Sequence, residues 1–175
     1  EKVICDYPAS FEIFRNAKGL IFHSHYSLKL ANTWYGEQDP GTYAIIPLLR
    51  VPSGSVSRKE ARQALGLEES QFVICSFGLL GPNKLNHLLL QAWIQSKNAA
   101  SSDTVLIFVG ENPPNDYGEQ INTAIKKSGL ADRIHITGWV EAQTFKYYLA
   151  AADIAVQLRC NTRGESSATV FDCMN

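Results

Sequence analysis

The sequence predicts an α/β fold in which a parallel sheet is covered by helices on both faces. Two observations carry this: strand and helix candidates alternate four times after residue 57, and the strand candidates are short, continuous apolar runs between amphipathic stretches of about ten residues. A third is compositional. Of 175 residues, 45% are hydrophobic, enough for a sizeable core without disulfide support.

Taken in order, Lys18 to His23 forms a short strand candidate, and Ser24 caps a helix running through Leu28, Leu30 and Ala31 toward Trp34. Gly36 to Gly41 is rich in turn residues, Tyr43 to Ile46 is a second short strand, and Pro47 to Ser57 has the Pro, Gly and Ser content of a connection. A boundary is expected near residue 50. Beyond it Ser57 and Glu60 have the spacing of a capping box, and Gly66 ends the helix they open. Strands then fit Gln71 to Phe77, Thr104 to Val109, Arg133 to Thr137 and Asp153 to Leu158. Helices fit Leu85 to Ser96, Tyr117 to Lys127, Ala142 to Ala151 and a last segment starting near Ser166. This is an open, Rossmann-like layer, and no repeat suggests a solenoid.

Sixteen basic against seventeen acidic residues leave no broad cationic surface for nucleic acid. No stretch approaches the roughly 18 apolar residues of a membrane span. The four cysteines, Cys5, Cys75, Cys160 and Cys173, are scattered, with neither a CxxC pair nor the clustered histidines that would suggest zinc, so reduced thiols and no metal are expected. The chain lacks an initiating Met and ends in what reads as an unfinished helix, so an excised piece of a longer protein is expected.

In open α/β sheets ligands sit at the carboxyl ends of the strands. The first such loop, Gly78 to Lys84, joins a strand to a helix N-terminus. Gly78 and Gly81 permit tight turns and Lys84 adds a positive charge, so the loop suits a diphosphate; equally, the glycines only shape the turn and Lys84 is solvated. Neither GxGxxG nor GxxxxGK[ST] is present. The last loop, Arg159 to Ser166, leads through Gly164, Glu165, Ser166 and Ser167 to Asp172. Backbone donors suit phosphate and the two carboxylates suit sugar or ribose hydroxyls; the bland reading makes Glu165 a first-turn acid and Asp172 a surface residue. If both were helical, Glu165 and Asp172 would stand about 10 Å apart, which favours contacts to different parts of a ligand over an acid/base pair. Trp139, after Gly138, either flanks a base or sugar or packs. His23, His25, His87, His135 and Asp153 read chiefly as structural residues, and no GxSxG elbow supports a covalent hydrolase.

Ser76-Phe-Gly78 with Lys84, Gly138 after a strand, Ala151-Ala-Asp153-Ile-Ala-Val-Gln-Leu-Arg159, and Thr162-Arg-Gly164-Glu165-Ser-Ser167 leading to Asp172 together resemble the nucleotide-sugar-binding half of the group 1 (family 4) retaining glycosyltransferases. These enzymes face two Rossmann-like domains across a cleft. The resemblance implies that residues 1–52 are the tail of the N-terminal domain and its connection, and that residues 53–175 are an incomplete C-terminal domain. It implies a nucleoside-diphosphate sugar as donor, with no metal and no other cofactor. By the same resemblance Lys84 and Glu165 are the catalytic residues, Lys84 on the diphosphate and Glu165 on the transferred sugar. Asp172 would hold the ribose, the Gly164 to Ser167 amides would receive phosphate or sugar, Gly78 would shape the donor loop and Trp139 would border the base.

The partners implied are a carbohydrate, lipid-linked or other acceptor and the missing N-terminal domain, with no nucleic acid. The location implied is cytoplasmic, the cytoplasmic membrane face staying open for the full-length protein. Three departures stand out: Leu79 where many members carry Arg, six residues rather than seven between acids that here are Glu165 and Asp172, and the missing facing domain. A sugar-nucleotide epimerase or hydrolase of the same architecture, or a noncatalytic nucleotide-binding domain, are the other readings.

Overall fold

The computed structural model describes residues 11–50, 54, 56–162 and 164–175. Cys5, the connecting residues 51–53 and 55, and Arg163 lie outside the described residues. Backbone packing divides the chain into two compact units. One comprises Glu1–Arg50 with Thr162–Ala168, the other Val51–Asn161 with Thr169–Asn175.

In the first unit, helix α1 (Phe11–Asn16) precedes strand β1 (Leu20–Phe22), helix α2 (His25–Tyr35), a 3-10 turn at Pro40–Thr42 and strand β2 (Tyr43–Ile45). The two strands pair in parallel, with Ile21 opposite Ala44. A strand–helix–parallel strand passage needs its crossover helix to start cleanly, and Ser24 provides that. Its hydroxyl accepts the Ser27 amide while the Ser27 hydroxyl accepts the Ser24 amide, a complete capping box. The core here is small and aromatic. Phe14 stacks on Tyr35 at 4.5 Å and tilts against Phe22 at 6.1 Å, and Phe22 meets Tyr43 edge-on. His23 is a boundary residue, its Nδ1 2.8 Å from the Ile46 carbonyl.

The second unit contains α3 (Arg58–Leu65), β3 (Phe72–Phe77), α4 (Asn86–Gln95), β4 (Thr104–Val109), α5 (Asp116–Ser128), β5 (Ile134–Ile136), α6 (Ala142–Ala151) and β6 (Ile154–Ala155). Helix α7 (Ala168–Cys173) ends the described chain. The four strands form one parallel sheet in the order β5-β4-β3-β6. Because β3 and β4 are covered on both faces, their apolar side chains run without alternation, as their sequences FVICSF and TVLIFV require. On one face Ile74, Leu106, Phe108 and Ile134 pack under Leu90 and Trp93 of α4 and Ile121 and Ile125 of α5. On the other, Val73, Cys75, Phe77, Val105 and Ile107 lie beneath Phe145, Tyr148 and Leu149 of α6. The expected α/β layer with helices on both faces is what folds.

A buried guanidinium fixes α3 to this layer. Arg62 is fully buried and donates to the carbonyls of Glu68, Glu69, Gln71 and Ala151 and, at 2.7 Å, to the Asp153 carboxylate. Asp153 also accepts the Val73 amide at 2.7 Å and pairs with Arg58. Asp153 thus ties the start of β6 to α3 and β3, a structural role. Ser57 caps α3 through the Glu60 amide and Gly66 ends it in the left-handed conformation.

Strand β6 is shorter than the expected Asp153 to Leu158. After the Val156 amide bonds to the Cys75 carbonyl, the Gln157 side-chain amide takes over. In the orientation that satisfies both groups, it donates to the Phe77 carbonyl at 3.2 Å and accepts the Phe77 amide at 2.7 Å. A side chain thus finishes the ladder on β3 where the backbone of a terminal strand turns away.

Candidate functional site

Strand order locates the site. Strands β4 and β5 lie to one side of β3 and β6 to the other, and α4 and α5 cover one face of the sheet while α6 covers the other, so the strand order diverges between β3 and β6. That divergence is a topological switch point, where open α/β sheets take their ligands. The loops flanking it are residues 78–85 and 156–161.

Backbone contacts hold this edge together. The Gly78 amide donates to the Val109 carbonyl at 2.9 Å, and Gly78 has φ +100°, open only to glycine without strain. Leu80 donates to the Glu111 carbonyl, and the Gly110 amide to the Thr137 hydroxyl, which in turn donates to the Gly138 carbonyl. The ends of β3, β4 and β5 are thereby laced in series. Leu79 projects from this rim with 59% exposure, and Trp139, just past Gly138, with 71%.

The loop after β3 is a knot. Gly81 donates to the side-chain oxygen of the buried Asn86, Pro82–Lys84 forms a 3-10 turn, and Leu85 caps α4 from the left-handed region with φ 54°. The Cys160 amide donates to the Asn83 carbonyl at 3.0 Å, which ties the loop after β6 to the loop after β3. Lys84 is half-buried within this knot. At the start of α7, Thr169 Oγ1 lies 3.9 Å from the place a Cβ would take on Gly78, so α7 begins over the switch point; Asp172 follows, half-buried, on the same helix.

Gly164, Glu165, Ser166 and Ser167 belong to the first unit. Gly164 is buried with φ +84°, and a Cβ there would stand 2.9 Å from Leu30 Cδ1 and 3.1 Å from Ser27 Cα. The turn is therefore seated on α2. Glu165 is exposed and both serines are half-buried. One expectation is corrected here: the last helix starts at Ala168, not near Ser166, so Glu165 does not share a helix with Asp172 and the helical 10 Å spacing does not apply. The left-handed turn pinned against α2 delays helix entry by two residues.

Four further residues shape the site beyond those the sequence singles out. Leu85 and Thr169 carry no local signal. Asn86, a buried amide opening an apolar helix, and Gln157, a polar residue just past an apolar strand, were visible oddities. Thiol chemistry is not on offer at β3: burial, then the neighbouring Cys173 and Asp153, push the Cys75 thiol up to about 12. His87 belongs to a pair with Tyr117, whose hydroxyl accepts the His87 amide at 3.2 Å and whose pKa burial raises. Among the described residues no group of three or more His, Cys, Asp and Glu side chains is placed to hold a metal ion. A hollow of about 670 Å³ lies at the other, amino-terminal ends of the strands, between Leu67, Gln71, Ser102, Arg133, His135 and Tyr148, away from the switch point.

A parallel layer with a glycine-and-lysine loop at its switch point defines a Rossmann-like domain. Residues 57–170 match the family Glycosyl transferases group 1, and the chain belongs to that family. No curated protein matches it. Among solved structures it is similar to Anabaena Alr3699/HepE in complex with UDP-glucose, with a TM-score of 0.75 and 20% identity over 97% of this chain and 46% of that one. It is also similar to sucrose-phosphate synthase from Thermosynechococcus elongatus, with a TM-score of 0.70 and 19% identity over 89% of this chain and 38% of that one. WaaG, a glycosyltransferase involved in lipopolysaccharide biosynthesis, matches with a TM-score of 0.67 and 19% identity over 80% and 38%. The chain thus spans less than half the length of each of these structures.

Proposed function

We propose that the complete protein is a retaining glycosyltransferase that moves a sugar from a nucleoside-diphosphate sugar to a carbohydrate, lipid-linked or other acceptor, and that this chain supplies its donor side. The observation that carries the reading is the switch point between β3 and β6, with Lys84 on one of its two loops, in a unit that the family match spans almost entirely. That HepE was solved with UDP-glucose supports the class of donor.

In this reading Lys84 holds the diphosphate as a point charge, Asp172 accepts hydrogen bonds from the ribose, and Trp139 borders the base. Glu165 orients the sugar near its reacting carbon, with the Gly164 to Ser167 amides beside it. The bond from the anomeric carbon to the phosphate oxygen breaks, and the acceptor oxygen bonds to that carbon from the same face. The acceptor proton passes to the departing phosphate. Lys84 and oriented amides favour this step by meeting the charge that develops on the leaving group. A further domain of the same protein faces the donor. The reading extends to a cytoplasmic location, with the cytoplasmic membrane face open to the complete protein.

The test is release of nucleoside diphosphate by the complete protein across a donor and acceptor panel. Acceptor-dependent release supports a transferase. Turnover of donor alone would replace it by an epimerase or hydrolase, and donor binding without turnover by a noncatalytic domain.

A further inference from the structure

Leucine has no reason of its own to sit at φ 54°, ψ 29°, where Cβ crowds the following carbonyl, yet Leu85 does so between the 3-10 turn and α4. The conformation has a local cause. Lys84 donates its amide to Gly81 and Leu85 donates to Pro82, closing the turn, while Leu88 and Leu89 already donate to Leu85, opening the helix. Two hydrogen-bonded systems with different axes meet at one residue, and the left-handed step is what turns the chain from one to the other. Around it the frame does not give: Asn86 is buried and grips Gly81, and Cys160 grips Asn83.

We infer that the left-handed conformation of Leu85, rather than its side chain, positions Lys84 at the switch point. Leu85 is thus a positioning residue that acts through Lys84. This rests on the reading of Lys84 as the diphosphate-binding cation. Were residue 85 to relax into the right-handed region, the helix would extend back through Lys84 and swing its side chain around the axis by about 100° per residue. Strain held at such a position is a recognised way to fix a side chain that binding uses.

The test is a cycle of substitutions in the complete protein, read by calorimetric titration with UDP, GDP, ADP and dTDP, the tightest binder being used throughout. Val disfavours the left-handed region most strongly, whereas Gly and Asn enter it readily. Leu85→Val is expected to weaken binding about five- to tenfold, with Leu85→Gly and Leu85→Asn within about twofold of the parent. In a Lys84→Ala background, Leu85→Val is expected to add no further loss, because its effect passes through the lysine. Equal losses with and without Lys84, or unchanged affinity in Leu85→Val, would overturn the inference. If Leu85→Val does not fold, weakened binding in Leu85→Gly and Leu85→Asn overturns it as well. Unchanged affinity in Lys84→Ala alone, or no binding of any of the four diphosphates, overturns the underlying reading of Lys84 instead.

Discussion

Gly110 stands so close to Gly78 that a Cβ added at Gly110 would lie 2.2 Å from the Gly78 carbonyl oxygen and 3.2 Å from the Leu79 amide nitrogen. Two of the strand ends that build the candidate site therefore touch backbone to backbone, with no flexible side chain to give way. The close approach is what lets Gly78 donate to Val109 and Leu80 to Glu111.

Gly110→Ala is accordingly expected to push the loop after β3 off the end of β4. The cost is about 2–3 kcal/mol, at the upper end for overpacking because the obstruction is backbone. Thermal unfolding of the complete protein checks the stability, and titration with nucleoside diphosphate checks that affinity falls in parallel. Wild-type values in both would show that the two loops move apart freely.

Arg62→Met removes a buried cation that holds four carbonyls and Asp153. A loss of about 3–5 kcal/mol is expected, since among the described residues the Asp153 carboxylate keeps Arg58, a half-exposed partner, and the Val73 amide. Arg62→Lys is expected to recover little, because one ammonium cannot reproduce the planar fork. Unfolding midpoints of the two variants measure this directly.

Gly164→Ala is expected to act on turnover before stability. Its Cβ meets Leu30 and Ser27 of α2, and φ +84° strains any alanine, so the turn carrying Glu165 shifts by a fraction of an ångström or more. If Glu165 orients the sugar as proposed, misplacing it on that scale costs about ten- to a hundredfold in kcat. Steady-state kinetics is the check, with donor KM expected to change much less than kcat.

Cys75 and Cys173 should resist alkylation. Burial first, then neighbouring negative groups, raises their thiols to about 12 and about 11. At pH 8 only about one Cys173 in a thousand is then a thiolate. Mass mapping after iodoacetamide treatment of the folded protein should find both unmodified and both modified in urea. Because the folded state holds these protons more tightly than the unfolded chain, their contribution to stability is complete below about pH 9. It is lost as pH rises toward the folded values. Cys75→Ala should flatten that alkaline decline.

Legibility in the sequence followed burial and locality. Thr104–Val109 and Ala142–Ala151 were readable to the residue, one as a run buried on both faces and the other as a helix over the sheet. Strand β6 misled because, among the described residues, just Ile154 and Ala155 are in strand register with β3, and Gln157 completes the contact with its side chain, which no hydrophobic period encodes. Gly78 and Lys84 were visible as turn and charge chemistry. Leu85 was not, because its left-handed step is imposed by the junction around it. The Thr169 approach to Gly78 joins residues 91 positions apart, and only the folded sheet brings them near.

The most direct test is to incubate the complete protein with a nucleoside-diphosphate sugar and an acceptor panel and follow the anomeric carbon by NMR. The expected result is a glycoside with the donor's anomeric configuration and one nucleoside diphosphate released per bond formed, with Glu165→Ala cutting turnover while the protein stays folded. An inverted product, or no acceptor-dependent release with any donor, would contradict the assignment.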